Sequence, residues 1–179
     1  MRKESKIIFF IILRYLSCLI VSLNGLFIFY YIFSPITLHS FYFIIKLFYN
    51  NASLYENSVF LDNSKITLVE ACIAGAAYFL IYILNFTTPM KPRKRIFSLF
   101  FSFSLFFIIN LLRILIFSFL FKNNFFLFEF LHLLVWYFLS AIIVFFVWFS
   151  TIKLFKIKEF PIREDIKKFI SILKNDNKK

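Results

Sequence analysis

The stretch IFSLFFSFSLFFIINLLRILIFSFLF, residues 96–121, decides the fold, because it is strongly apolar and carries only one charged residue, Arg113. About 20 apolar residues in helical conformation cross a bilayer, so this stretch predicts a transmembrane helix. An arginine at the bilayer centre costs at least about 2.5 kcal/mol on insertion scales. We therefore expect Arg113 to belong to a site and to have a partner there.

The composition predicts a membrane protein. Of the 179 residues, 61% are hydrophobic and 31 are Phe, which is more apolar than soluble domains are. The long apolar runs predict an all-α integral membrane protein with four transmembrane helices, at residues 7–33, 70–88, 96–121 and 125–149. Residues 1–152 then form a single transmembrane domain, and residues 153–179 form a basic cytoplasmic tail.

Clusters of cationic residues fix the predicted orientation, because Lys and Arg near the ends of membrane spans stay in the cytoplasm. The clusters lie at the N-terminus, in the connection at residues 91–95 and in the tail. With four spans they share one side, so both termini are predicted to be cytoplasmic and the loop at residues 34–69 to face outward. The same bias accounts for the net charge of +12, and no nucleic-acid partner is expected.

The outer loop contains two predicted elements. Residues 38–49 are apolar, but they are too few to cross a bilayer and include Lys46, so we expect an interfacial helix. Residues 58–69 alternate in polarity around a polar turn at 62–64, which predicts a hairpin that leads into Cys72. In the tail, the spacing of apolar residues over 162–173 predicts an amphipathic surface helix.

Three residues on successive spans can carry chemistry, namely Cys72, Arg113 and His132. Cys72 lies in the first turn of its helix, where the partial positive charge stabilises a thiolate. Arg113 lies roughly 13 Å and His132 roughly 11 Å from the outer ends of their spans, at 1.5 Å per residue. A thiol nucleophile, an imidazole that moves protons and a fixed cation at a similar depth are what acyl transfer requires.

Each of the three also has a non-catalytic interpretation, which the residues alone leave open. A cysteine in a membrane helix can be a small apolar residue, which is how we interpret Cys18. A histidine near the membrane surface can be structural. Arg113 can pair with Glu129 and serve as an assembly device.

Two polar residues are predicted to support the site. Asn110 lies one turn from Arg113, and Glu129 lies one turn from His132, so each can orient its neighbour through a hydrogen bond. Asn110 can equally join two helices, since amide side chains form hydrogen bonds between membrane spans. Glu129 can instead neutralise Arg113.

Two further residues lie at the start of the second span. Glu70 can act there through its charge or as a catalytic group. Gly75 and Ala71 form a pair of small residues four apart, which lets another helix approach and would bring Arg113 close to Cys72. The chain shows no zinc-ligand spacing and no phosphate-binding glycine loop, so neither a metal nor a cofactor is expected.

These residues resemble a known family. Glu70-Ala-Cys-Ile-Ala-Gly75, Asn110-Leu-Leu-Arg-Ile114 and the following His132 are similar, in order and topology, to the exosortase/archaeosortase family of membrane transpeptidases. The resemblance implies that Cys72, Arg113 and His132 are the catalytic set. Many members have Ser-Gly directly after the cysteine, where this chain has Ile73-Ala74-Gly75, and longer members carry additional N-terminal spans.

The resemblance also implies a substrate and a location. Members cleave secreted proteins at a C-terminal sorting signal, which consists of a short motif, a transmembrane helix and a basic cluster. A multi-pass protein of the cell membrane with its site on the extracytoplasmic side would form a thioester there and transfer the new C-terminus to a membrane lipid. Two alternatives stay open: a hydrolase that uses the same thiol, and a non-enzymatic four-span assembly or transport subunit with a structural Arg113–Glu129 pair.

Overall fold

The computed structural model describes residues 3–23, 26–61, 64–123, 125–157 and 165–166. The described chain is mostly helical, as the composition predicts, and it includes one small sheet. The helices are α1 (Lys3–Leu23), α2 (Phe27–Phe48), α3 (Glu70–Ile73), α4 (Gly75–Thr87), α5 (Pro92–Lys122), α6 (Phe128–Leu134) and α7 (Ser140–Leu154), with a π-helical turn at Val135–Leu139 between the last two. The strands are β1 (Ser53–Tyr55), β2 (Ser58–Leu61) and β3 (Ser64–Thr67).

Three helical segments of the described chain are long and apolar enough to cross a membrane: α2, the pair α3 and α4 taken together as Glu70–Thr87, and α5. The second and third of these coincide with two of the predicted spans. The predicted fourth span is helical as well, but it is divided into α6, the π-turn and α7. Its longest regular piece, Ser140–Leu154, is a shorter apolar helix.

The predicted helices at residues 7–33 and 38–49 differ from the structure. α1 ends at Leu23, Leu26 adopts a left-handed conformation with φ of 64°, and α2 then continues without interruption to Phe48. Residues 38–48 are therefore the second half of a long helix rather than a separate helix of the outer loop. Hydropathy does not reveal a break inside an apolar run, and the burial of Phe41 and Ile45 shows that this half of α2 packs in the core.

Helices α2, α4, α5 and α7 run alternately in opposite directions. On α2 and α4, Phe33 stacks on Tyr78 with ring centroids 3.6 Å apart, and Phe29 meets Tyr82 at 6.1 Å. α4 and α5 are antiparallel, because Tyr78 packs against Phe106 with ring centroids 4.8 Å apart while Asn85, later in α4, bonds to Ser98, earlier in α5. α5 and α7 are antiparallel as well, because Arg113 contacts Ser140 while Ser102, earlier in α5, contacts Thr151, later in α7.

The sheet lies at the end of this bundle where α2 and α5 terminate, which we call the sheet end. The predicted hairpin is confirmed, because β2 and β3 pair antiparallel from Ser58 opposite Thr67 to Leu61 opposite Ser64. β1, which was not predicted, pairs with the other side of β2. One core cluster joins the sheet to the helices, with its buried members at Phe41, Ile45, Ala52, Val59, Leu61, Leu68, Leu111 and Ile114.

Polar side chains join the helices toward the opposite end of the bundle. Asn85 Nδ2 donates to Ser98 Oγ at 2.7 Å, and the hydroxyls of Ser102 and Thr151 lie 2.8 Å apart. Near that end an ion pair between Arg14 and Asp165 connects α1 to the tail. The helix predicted at 162–173 falls mostly outside the described residues, so its extent stays a prediction.

Candidate active site

Cys72 lies in a helix that is separate from the long span behind it. It is the third residue of the four-residue α3, and Ala74 follows in a left-handed conformation with φ of 58° and ψ of 44°. The Ala74 N–H donates to the Glu70 carbonyl at 3.0 Å, which closes the turn. A left-handed alanine costs roughly 1–2 kcal/mol, and such strain is typical of functional sites. A single turn also has little macrodipole, so the helix start contributes less to a thiolate than the sequence predicts.

Gly75 admits a neighbouring helix, but a different one from the helix that we predicted. A Cβ atom at this position would lie 2.8 Å from the ring of Tyr30, which belongs to α2. The small residue therefore lets α2, rather than the helix of Arg113, pack against the start of α4. Glu70 is exposed at the first position of α3, and its side chain forms no hydrogen bond with the described residues.

Arg113 connects three elements. Its Nη1 donates to Ser140 Oγ at 2.9 Å, and its Nη2 donates to the carbonyl oxygens of Ala71 and Cys72, each at 3.3 Å. Arg113, which belongs to α5, is thus held beside the backbone of Cys72 on α3 and is also bound to Ser140 of α7. Within the part of the chain that the structure describes, no carboxylate forms an ion pair with Arg113, and Glu129 is exposed.

Asn110 acts on Cys72 rather than on Arg113. Its side chain is almost fully buried, and Nδ2 donates to the Cys72 carbonyl at 2.9 Å and to the Ile73 carbonyl at 3.5 Å. The expected hydrogen bond to Arg113 is not made among the described residues. Asn110 and Arg113 instead converge on the same carbonyl, so α5 holds α3 in place through two polar side chains one turn apart.

His132 is oriented by aromatic rings. It stacks on Phe128 with centroids 5.6 Å apart and planes within 6°, and it meets the edge of Phe117 at 5.5 Å. The predicted hydrogen bond from Glu129 is absent from the described contacts. Because both phenylalanines contact the ring, the imidazole has a defined orientation while its side chain remains exposed.

A cavity of about 230 Å³ brings the three predicted catalytic residues together. Cys72, Arg113 and His132 all line it, and they come from α3, α5 and α6. The remaining walls come from residues 65–69 of the sheet end and from aromatic side chains of α5 and α6. Polar groups for acyl transfer therefore converge in a mostly apolar cavity, as ligand sites generally do.

Ser140 belongs to the site but was not identified from the sequence. It accepts the bond from Arg113, and its hydroxyl donates to the Val135 carbonyl at 3.1 Å across the π-turn. Eight residues separate Ser140 from His132, a spacing that puts two residues about 80° apart around a regular helix. The π-turn takes up one extra residue, which rotates Ser140 around the helix axis, and Ser140 is connected to the cavity through its bond to Arg113.

Neither a metal cluster nor a known relative identifies the site. The described residues contain no group of three or more His, Cys, Asp or Glu side chains that could hold a metal ion. Cys18 and Cys72 are both free thiols. The chain matches no model of a protein family, no curated protein and no solved structure.

Proposed function

We propose that the protein is a membrane-embedded cysteine transpeptidase of the exosortase/archaeosortase type, which processes secreted proteins at a C-terminal sorting signal. One observation carries this proposal: Cys72, Arg113 and His132, from three different helices, line a single cavity. The motifs around these residues resemble that family, which adds a substrate class to the chemistry. The role of each residue follows from its position.

Cys72 is the nucleophile. Its thiolate attacks the carbonyl carbon of the scissile peptide bond, and the carbonyl oxygen becomes an oxyanion. A guanidinium has five N–H groups, and the bonds to Ala71, Cys72 and Ser140 use three of them. Arg113 therefore keeps two N–H groups and its full charge to stabilise first the thiolate and then the oxyanion.

His132 moves the protons. It donates one to the leaving amine as the C–N bond breaks, which leaves a thioester on Cys72. A second nucleophile then attacks the thioester carbonyl and gives its proton to His132, while Cys72 leaves as the thiolate with which the cycle began. With the amine of a lipid head group the product is an amide-linked lipid anchor, and with water it is a free carboxylate.

The proposed site faces the extracytoplasmic side. The alternating directions of α2, α4, α5 and α7 put the connection at residues 91–95 at the end of the bundle opposite the sheet. Its cations, Lys91, Arg93, Lys94 and Arg95, favour the cytoplasm under the positive-inside rule. A substrate helix with a basic end obeys the same rule, so its motif would reach the cavity from outside.

The test is to co-express the protein with a tagged secreted protein that carries a short motif, a transmembrane helix and a basic cluster. Cys72→Ala is compared with Cys18→Ala, the matched control that removes the other thiol. We expect processing, followed by gel shift and C-terminal mass spectrometry, to be lost in Cys72→Ala and unchanged in Cys18→Ala. Normal processing by Cys72→Ala would refute the mechanism, and the product mass separates lipid transfer from hydrolysis.

A further inference from the structure

β3 is an edge strand. The sheet order is β1-β2-β3, so β3 pairs with β2 on one side and with no described strand on the other. An unpaired edge presents backbone N–H and C=O groups that another extended chain can bind. In this protein the edge is short and continues within a few residues into α3 and Cys72.

The register identifies which backbone groups face the free edge. The Leu68 N–H donates to the Asn57 carbonyl at 2.9 Å, and hydrogen bonding alternates along an antiparallel pair. Ile66 therefore bonds toward β2, while the backbone groups of Lys65 and Thr67 point away from it. The 3.0 Å contact between the hydroxyls of Ser58 and Thr67 agrees, because side chains lie closer at a non-hydrogen-bonded pair.

The same strand forms a wall of the cavity that contains Cys72. Lys65, Ile66 and Thr67 line it, together with Leu68 and Val69 of the connection to α3. Phe117 and Phe128 line it as well, from α5 and α6. A chain lying along β3 would thus have backbone donors and acceptors on one side, apolar rings within reach and the thiol at its end.

We propose that the substrate binds as an additional strand on the free edge of β3, parallel to it, through its backbone. This inference rests on the proposed function and specifies how the peptide is held. The direction follows from the fold, because β3 runs toward α3 and the long α4. A parallel substrate carries its own apolar helix along the same path, whereas an antiparallel one would lead that helix away from the bundle.

In this arrangement one substrate residue lies opposite Ile66. Its N–H donates to the Lys65 carbonyl, and its carbonyl accepts from the Thr67 N–H, as in any parallel pair. The substrate residues on either side of it direct their N–H groups away from β3. Backbone recognition of this kind therefore requires alternate substrate N–H groups and tolerates many side chains.

The probe is a set of hexapeptidyl chloromethyl ketones of randomised sequence, unmethylated or N-methylated at one chosen position. The Cys72 sulfur displaces chloride and forms a thioether, which mass spectrometry locates in the Cys18→Ala protein in membranes. We expect methylation at alternate positions to slow labelling of Cys72 roughly fivefold or more, as loss of one hydrogen bond predicts. Methylation at the intervening positions leaves the rate within about twofold. A uniform effect at all positions, or no labelling, would overturn the proposal.

A pair of variants tests the protein side of the same bonds. Thr67→Pro removes the outward N–H at an edge position, where proline is tolerated. Thr67→Val keeps that N–H but loses the hydroxyl contact with Ser58, so it is the matched control. We expect roughly fivefold slower labelling in Thr67→Pro than in Thr67→Val, and equal rates contradict strand addition. If methylation has the same effect at every position while Cys72 is otherwise labelled normally, this inference is refuted but the proposed function is not. Processing of the substrate by Cys72→Ala refutes the proposed function.

Discussion

The carbonyl oxygen of Cys72 accepts hydrogen bonds from two side chains of α5, Asn110 and Arg113. Arg113 also reaches the Ala71 carbonyl and the Ser140 hydroxyl, so one planar group satisfies three acceptors. The charge of the guanidinium and its shape therefore serve two different purposes. In the proposed mechanism the charge stabilises an anion in the cavity, while the shape fixes the backbone that carries the thiol.

Arg113→Lys separates these two purposes. A lysine keeps the positive charge, but its ammonium cannot reproduce the planar fork that bridges Ala71, Cys72 and Ser140. We expect processing of the tagged substrate to fall at least about tenfold, which corresponds to one charge-assisted hydrogen bond. Lys122→Arg, a charge-conserving change elsewhere on α5, is the control and retains activity. A wild-type rate in Arg113→Lys would mean that charge alone is sufficient.

Glu129→Gln tests the alternative of a structural ion pair. Glu129 is exposed, and no ion pair joins it to Arg113 among the described residues. We expect this variant to process substrate and to accumulate in the membrane like the wild type. Loss of both properties would favour the assembly subunit, because a buried pair is strongly destabilised when one partner loses its charge. Steady-state protein level and processing are measured in the same cells.

The three candidate residues were predictable from residue chemistry, but the contacts around them were not. Cys72, Arg113 and His132 stand out in the sequence because each is polar in an apolar context, and all three line one cavity. For Asn110 the bond to Arg113 was not found and the alternative that it joins two helices was confirmed, because helical spacing shows which residues share a face, not which atom of a neighbouring helix they reach. For the same reason we predicted a hydrogen bond between Glu129 and His132, but the ring of His132 packs against Phe128 and Phe117.

At the scale of elements, two irregularities shape the site. Ala74 ends α3 in a left-handed conformation, and the π-turn divides the last helix. Regular periodicity describes α5, because its buried residues recur every three or four positions, but hydropathy does not mark them, since Ser98, Ser102 and Asn110 are buried while apolar residues of the same helix are exposed. Periodicity fails at the π-turn, where one extra residue changes the face on which Ser140 lies. Ser140 was missed because its place in the site depends on a hydrogen bond from Arg113 of another helix, which spacing along the chain does not predict.

Ser140→Ala measures what the hydroxyl group of Ser140 contributes to processing. The variant removes the side-chain acceptor of Arg113 and leaves one guanidinium N–H without a protein partner. We expect a three- to tenfold loss in processing, about 1 kcal/mol in the activation free energy. Thr87→Val is the control, because that buried hydroxyl lies outside the cavity and bonds within its own helix, to the Ile83 carbonyl at 2.8 Å. Equal effects of the two substitutions would remove Ser140 from the site.

Gly75→Ala tests the close approach of α2 to α4. The new methyl group would lie 2.8 Å from the ring of Tyr30, so that ring or the helix must move. Overpacking of this kind costs typically about 1–3 kcal/mol, which lowers the unfolding temperature in detergent. The double variant with Tyr30→Ala has room for the methyl group, and we expect it to be less sensitive to the change at Gly75. Additive effects would contradict this contact.

At the scale of the whole molecule, the number of apolar runs was easier to predict than their boundaries. Hydropathy identified α4 and α5, and turn chemistry identified the β2–β3 hairpin. The first crossing was displaced, because the apolar sequence continues from α1 through α2 and hydropathy does not mark the break before Phe27. α2 instead packs against α4 and ends at the sheet, and it is the first described helix that is both long and apolar enough to cross a membrane.

This revised topology can be tested with single cysteines in a Cys18→Ala, Cys72→Ala background. Asn51→Cys lies beside the sheet, Ile36→Cys lies in the middle of α2, and Arg93→Cys lies at the opposite end of the bundle. A membrane-impermeant maleimide should label the first in intact cells and the third only after permeabilisation, since cationic connections stay inside. The second should react in neither case, because its side chain would face lipid. Labelling of Ile36→Cys in intact cells would return residues 34–49 to the outer surface and restore the interfacial helix.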